Sequence, residues 1–243
     1  MFDKIRNFFS PQKETPVDLQ FFLKNETSSP LTDKQQFLIS LAQIIGEHHN
    51  HFTNSLSAGN DLNFYADKMG TWYGITDAET AHQFIQTRLK DGFRDFYNEI
   101  VKEFTLTKGD VSLIPFDDED AKEELASYFE NIKEVLASRE GQFWFSNGLG
   151  VTDGFDHGRI AYVIRSSYTL GYLSAAEAWD YLEIIGKMAI DKFSSWNEYA
   201  KSYLLGRTVW CGDDGDFSSF SEVTRYLVSS PNSPWMLPFT TKG

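Results

Sequence analysis

The residues in this chain best suited to chemistry form a short acid–base run: Asp153, Asp156, His157, Arg159 and Arg165. Carboxylates, an imidazole and guanidinium groups at such spacing can pair with one another, hold an anion or exchange protons. On a helix, Asp156 and Arg159 are i,i+3 neighbours and can form an ion pair. His157 faces away from Asp156 on the same helix, so the run supplies no ready His–Asp dyad. Arg159 and Arg165 are placed to reach Glu177, Asp180 or Glu198 on neighbouring helices. An arginine in such a pair has five donors to satisfy in a fixed fork. Two readings stay open: a structural ion-pair network, or a catalytic or small-anion site built on Asp156, Arg159 and Arg165.

Other polar runs are less specific. His48, His49 and His51 lie close together, but zinc needs three or four ligands converging as a tetrahedron. Adjacent histidines at a helix end do not converge, and no H-E-x-x-H or paired cysteines complete the set. The expectation is a solvated helix terminus, where a cationic imidazole complements the helix dipole. Asp213, Asp214 and Asp216 resemble half a calcium loop, yet no acidic ladder or closing glutamate follows. They read as a turn or as an acidic partner-binding patch. Asp117, Asp118, Glu119, Asp120, Glu123 and Glu124 make a denser block. It is either a well-charged helix start or a docking edge for a basic protein. The chain has one cysteine, Cys211, so no internal disulfide framework exists. Nucleophile-elbow, P-loop and dinucleotide fingerprints are missing from the sequence. No metal and no cofactor is expected.

Composition narrows the classes further. The chain has 243 residues, 41% of them hydrophobic, and a net charge of −13. That length and composition support a packed core. The charge disfavours nucleic acid. It serves solubility, or it suits a basic partner. No run of 18 apolar residues is present, so no membrane span is expected. The first ten residues carry Lys4 and Arg6 but no apolar stretch of signal-peptide type. Phe2, Ile5, Phe8 and Phe9 share one helical face. Docking of this face on its own domain, disorder, and peripheral membrane contact all remain open for it.

The elements that must position these residues read as helices. A Ser/Thr followed three residues later by Glu/Gln satisfies two orphan donors at a helix start. It occurs at Thr32/Gln35, Thr76/Glu79, Ser174/Glu177, Ser195/Glu198 and Ser219/Glu222. Apolar residues at three- and four-residue spacing predict helices over 33–47, 61–69, 77–90, 93–104, 121–138, 156–170, 175–191, 196–209 and 220–229. Gly171 reads as the stop between two of them. Residues 111–116 are strand-like but short, 142–151 read as a packed loop, and 230–239 as an irregular tail. The fold expected is all-α for the most part. It is a single multi-helix domain over residues 31–243, preceded by an irregular arm and linker over 1–30.

The order of several residues is also family-like. It runs Trp72, Tyr73, Gly74, Ile75, then Asp156, Arg159, Arg165, Gly171, Tyr172, Ser174, Glu177 and Trp179. It continues through Ser195, Trp196, Tyr199, Tyr203, Gly206, Arg207 and Trp210 to Pro234 and Trp235. In these the chain resembles the YbeU/YbeR-like bacterial proteins, a domain-of-unknown-function family (family 1266), over roughly residues 60–240. The resemblance implies a helical domain with no established activity. Some proteins of this general kind are encoded beside secreted toxins, whose small acidic partners serve as immunity proteins. The function expected is therefore non-enzymatic binding: a cytoplasmic immunity protein that covers a basic cognate toxin. An enzyme or anion-binding protein using Asp156, Arg159 and Arg165 is the alternative.

Overall fold

Helix starts and stops follow local chemistry in the computed structural model, which describes residues 21–214 and 216–240. The order is α1 (Asp33–Ser40), α2 (Gln43–His48), α3 (Leu62–Tyr73), α4 (Ala78–Lys90), α5 (Arg94–Thr107), α6 (Glu119–Ala137), α7 (Arg139–Phe145), α8 (Asp153–Thr169), α9 (Ala175–Lys192), α10 (Trp196–Cys211) and α11 (Phe217–Ser229). Among the described residues there is no strand. The expected arm falls for its first twenty residues outside the described residues.

Two of the five capping boxes form as written, at Thr32/Gln35 and Ser174/Glu177. The α4 box is shifted by one residue: Asp77 and Thr80 reciprocate, because the Asp77 carboxylate is the stronger acceptor. At α10, the Ser195 hydroxyl caps Glu198, but the Glu198 carboxylate turns to Ser194. Ser219 lies inside α11, which already starts at Phe217. Gly171 takes φ +77° just beyond α8, the left-handed stop expected of it.

Three expectations need correction. The helix predicted over 33–47 is two helices. Its carbonyls at the break are taken by side chains from elsewhere: Ile39 O by Arg165 Nη1 (3.4 Å), Ser40 O by Trp235 Nε1 (2.9 Å) and Leu41 O by Tyr199 Oη (2.7 Å). These donors compete with the i→i+4 ladder and end α1 there. The strand-like 111–116 is a single 3₁₀ turn, Val111–Leu113, capped by Asp110. The loop expected over 142–151 is helical up to Phe145. Ser138 ends α6 and caps α7 through the Gly141 N–H (3.0 Å). A side chain at Gly141 would strike the Val135 carbonyl.

The chain clusters into two compact units, each discontinuous in sequence. The first comprises residues 93–156 and 200–222. Its core pairs Phe104 of α5 with Phe129 of α6, edge to face at 5.2 Å. Phe155 packs on Tyr203 at 5.4 Å. Gly206 lets Phe155 approach α10 closely, since a Cβ there would overlap the phenylalanine. The second unit comprises, of the described residues, 21–92, 157–199 and 223–240. There Gly186 of α9 makes room for Leu38 of α1. Trp235 stacks on Trp196 at 4.6 Å and 9°. The tail expected to be irregular is thus fixed by a 3₁₀ turn, Pro234–Met236, with Trp235 as its anchor.

Candidate functional site

The second unit contains a buried polar cluster around Arg165. This side chain is fully shielded from solvent. Arg165 Nε donates to Leu56 O (3.4 Å), and Nη1 to Ile39 O (3.4 Å). Nη2 donates to the carbonyls of Phe52, Ser55 and Ser57 at 2.5, 3.0 and 3.2 Å. The expected reach of Arg165 to Glu177, Asp180 or Glu198 is corrected by these contacts. Among the described residues Arg165 makes no ion pair, because a loop of carbonyl dipoles wraps it instead. Glu177 caps Ser174 and faces His82 Nε2 at 3.4 Å. Glu198 bonds Ser194, and Asp180 is exposed. Burial lowers the Arg165 guanidinium to about 10, while Tyr65 and Glu47 act to raise it.

Glu47, on α2, is the carboxylate that acts on Arg165. Its oxygens accept from the Phe22 N–H (3.0 Å) and from Gln43 Nε2 (2.5 Å). Burial pushes the carboxyl up to about 7 from an ordinary 4.5, and these bonds and Arg165 offset only part of that. The histidine run is not a solvated terminus. His48, His49 and His51 are all buried. His51 lies flat on Tyr162 at 4.8 Å and 11°, and neither of its ring nitrogens has a hydrogen-bond partner among the described residues. Burial holds its imidazole well below the ordinary 6.5, and Arg165 and His49 act in the same direction. Tyr65 Oη donates to His49 O at 3.4 Å, and burial raises its phenol.

The remaining residues of the predicted site divide between the two units. In the first unit Asp156 accepts from Arg94 Nη1 at 3.0 Å, and both are largely buried. Asp153 accepts from Asn98 Nδ2 at 2.8 Å. In the second, the Arg159 guanidinium lies 5.6 Å from the ring centre of Tyr73. Trp196 is buried, whereas Trp179 and Trp210 are half-buried. Trp210 packs on Phe155 at 5.9 Å.

Arg207 explains the acidic turn after α10. Its guanidinium sits 4.1 Å from the Phe220 ring centre and donates to Asp214 Oδ1 (3.2 Å) and Asp216 Oδ2 (3.4 Å). Two of the three turn aspartates are therefore engaged by a buried cation. No group of three or more His, Cys, Asp or Glu among the described residues is placed to hold a metal ion. The Cys211 thiol is pushed up to about 12, chiefly by burial, which leaves little thiolate near neutrality.

The other acidic run is differently placed. Asp117, Asp118, Glu119, Asp120 and Glu123 are exposed, and Glu124 is half-buried. Asp118 caps α6, Glu119 pairs with Lys122 at 2.8 Å, and Glu124 accepts weakly from Tyr128. At 100° per residue, Glu119 and Glu123 fall on the same stripe of α6 as Ala126, Glu130 and Lys133. The latter three line an open pocket of about 350 Å³, closed on its other side by Lys108, Gly109, Asp110 and Val111. Leu106 and Leu113, on the elements flanking that wall, are both exposed.

The residues that sequence reasoning missed are Gln43, Glu47, Tyr65 and the carbonyls of the 52–57 loop. The one available signal was Glu47 after the apolar Ile44 and Ile45, followed directly by the histidines. No helix among the described residues is long and apolar enough to cross a membrane.

No curated protein and no solved structure matches the chain. A family model described as "Protein of unknown function (DUF1266)" matches residues 68–239, which include Arg165, Arg207, the acidic edge and the pocket. By that match the chain belongs to the DUF1266 family.

Proposed function

We propose that this chain is a non-enzymatic, protein-binding protein whose partner is basic. In its most concrete form it is a cytoplasmic immunity protein that covers the catalytic cleft of a cognate bacterial toxin. The observation that carries the reading is the α6 stripe. It runs from exposed Glu119 and Glu123 directly into an open pocket whose lining includes the apolar Val111, Ala126 and Phe129. An acidic rim steers a basic protein, and a pocket with apolar neighbours receives an anchor that holds it. The net charge of −13 acts in the same direction. The Asp213–Asp216 turn is the weaker half of the expected surface, because Arg207 engages Asp214 and Asp216.

The alternative, an enzyme or anion receptor, draws less support. The five Arg165 hydrogen bonds go to carbonyls, and Arg165, Glu47 and His51 are shut from solvent. A substrate reaching them would have to open the unit.

Affinity capture from the cells that make the protein tests the proposal, with wild type and the triple variant Glu119→Lys, Asp120→Lys, Glu123→Lys as baits. A basic, stoichiometric partner retained by the first and lost by the second is the expected result. Equal retention by both would overturn the reading.

A further inference from the structure

Four side chains of the second unit bridge α4 and α9. His82 and Gln86 lie one helical turn apart on α4, and Glu177 and Tyr181 lie one turn apart on α9. His82 Nδ1 stands 2.9 Å from Tyr181 Oη. Gln86 Nε2 donates to the same Oη at 3.0 Å. On the other side of the ring, His82 Nε2 faces Glu177 Oε1 at 3.4 Å. Glu177 is itself fixed by the α9 capping box, where its Oε2 accepts from the Ser174 N–H (2.8 Å) and hydroxyl (2.6 Å). Tyr181 and His82 are half-buried and Glu177 and Gln86 are exposed, so the group is open to solvent.

We propose that Tyr181 is a nucleophile activated by His82, and that it takes an acyl group from an uncharged, activated ester. An ionised carboxylate only accepts, so Glu177 calls for the proton of the neutral His82 ring on Nε2. Nδ1 then holds a lone pair and accepts the Tyr181 O–H. A nucleophile on a base that a third group orients is the arrangement of an activated hydroxyl. Gln86 occupies one lone pair of Oη, and the other is left for attack. The negative charge of Glu177 disfavours an anionic phosphoryl donor, which leaves an uncharged acyl carbon as the electrophile. In the step, Oη bonds to the carbonyl carbon while its proton passes to His82 Nδ1. The bond from that carbon to the leaving oxygen breaks with its electron pair, and His82 returns the proton to the leaving oxygen. The products are a Tyr181 ester and a free alcohol, with no change of oxidation state. Glu177 is a positioning residue, since it acts through His82. This site is independent of the α6 stripe.

The test treats the full chain with p-nitrophenyl acetate at pH 8 and locates the acetyl group by peptide mass spectrometry. Tyr172 and Tyr226, half-buried and exposed, are the internal references. Tyr181 is expected to react at least about tenfold faster than either, since a positioned base contributes about 10²–10⁴-fold. His82→Gln brings Tyr181 down to the reference rate. Glu177→Gln retains the capping box, which glutamine also completes, but it releases the tautomer. Nitrogen-15 NMR of the His82 ring then shows the proton on Nε2 in wild type and shared between the two nitrogens in Glu177→Gln, and Tyr181 reacts more slowly in that variant. Tyr181 reacting no faster than the references in wild type overturns the proposal. So does an unchanged Tyr181 rate in His82→Gln, a proton on Nδ1 in wild type, or an acetyl group that settles on His82 and leaves Tyr181 bare.

Discussion

Arg165 and Glu47 are buried in the same cluster and act on each other's charge, yet they form no ion pair. The guanidinium stays charged and is solvated by backbone dipoles, while burial pushes the carboxyl up to about 7. This separation makes the pH response of the fold depend on where one proton resides.

Glu47 and His51 move in opposite directions. The folded Glu47 value is raised, so its contribution is full below 4.5 and is lost as pH rises to about 7. The folded His51 value is depressed, so its contribution is full above 6.5 and is lost as pH falls. Below 6.5 and above 4.5 the two groups oppose each other: the folded chain favours the proton on Glu47 and the unfolded chain favours it on His51. The two slopes have opposite signs there. Glu47→Gln unmasks stability that falls with falling pH, and His51→Phe unmasks stability that falls with rising pH. Each slope approaches about 1.4 kcal/mol per pH unit. Urea unfolding at pH 5, 6 and 7 measures this, and slopes of one sign in both variants would refute it.

Removing the buried guanidinium leaves several carbonyls without their donor. Arg165→Met is expected to destabilise the chain by about 3–5 kcal/mol, in the range for breaking a buried charged network. Arg165→Lys also costs stability, because three donors on a point charge do not match a loop spaced for a fork. Denaturant titration gives both values. A loss under about 1 kcal/mol for Arg165→Met would show that the loop does not depend on it.

Two helical glycines should respond oppositely to alanine. A Cβ at Gly186 runs into the Leu38 side chain, so Gly186→Ala should cost about 1–3 kcal/mol by overpacking. A Cβ at Gly70 in α3 meets nothing within 4 Å, so Gly70→Ala should gain about 0.5–1 kcal/mol from helix propensity. Thermal unfolding of the two variants distinguishes them, and shifts of the same sign would contradict the packing described.

What the sequence made legible followed from local rules. The stripe of α9, the stop at Gly171 and the start of α6 depend on neighbours within a turn or two. The break after Ser40 did not, because its cause is Arg165, Tyr199 and Trp235 arriving from 126 to 195 residues away. The site shows the same divide. Arg165 and Arg207 stood out as unusual residues in an aromatic helical context. Their partners are backbone carbonyls and a downstream turn, and carbonyls carry no sequence signature. The solvation expected of the histidine run fails because exposure at a helix end is a tertiary property. His51 is covered by Tyr162, from α8.

The central claim is that the α6 stripe, with its pocket, docks a basic protein. Its most direct test is the association rate of the captured partner with wild type and with the Glu119→Lys, Asp120→Lys, Glu123→Lys variant, each across a salt series. The account predicts an association rate at least about tenfold slower for the variant at low salt, with a flatter salt dependence. Equal rates and equal salt dependence would contradict it.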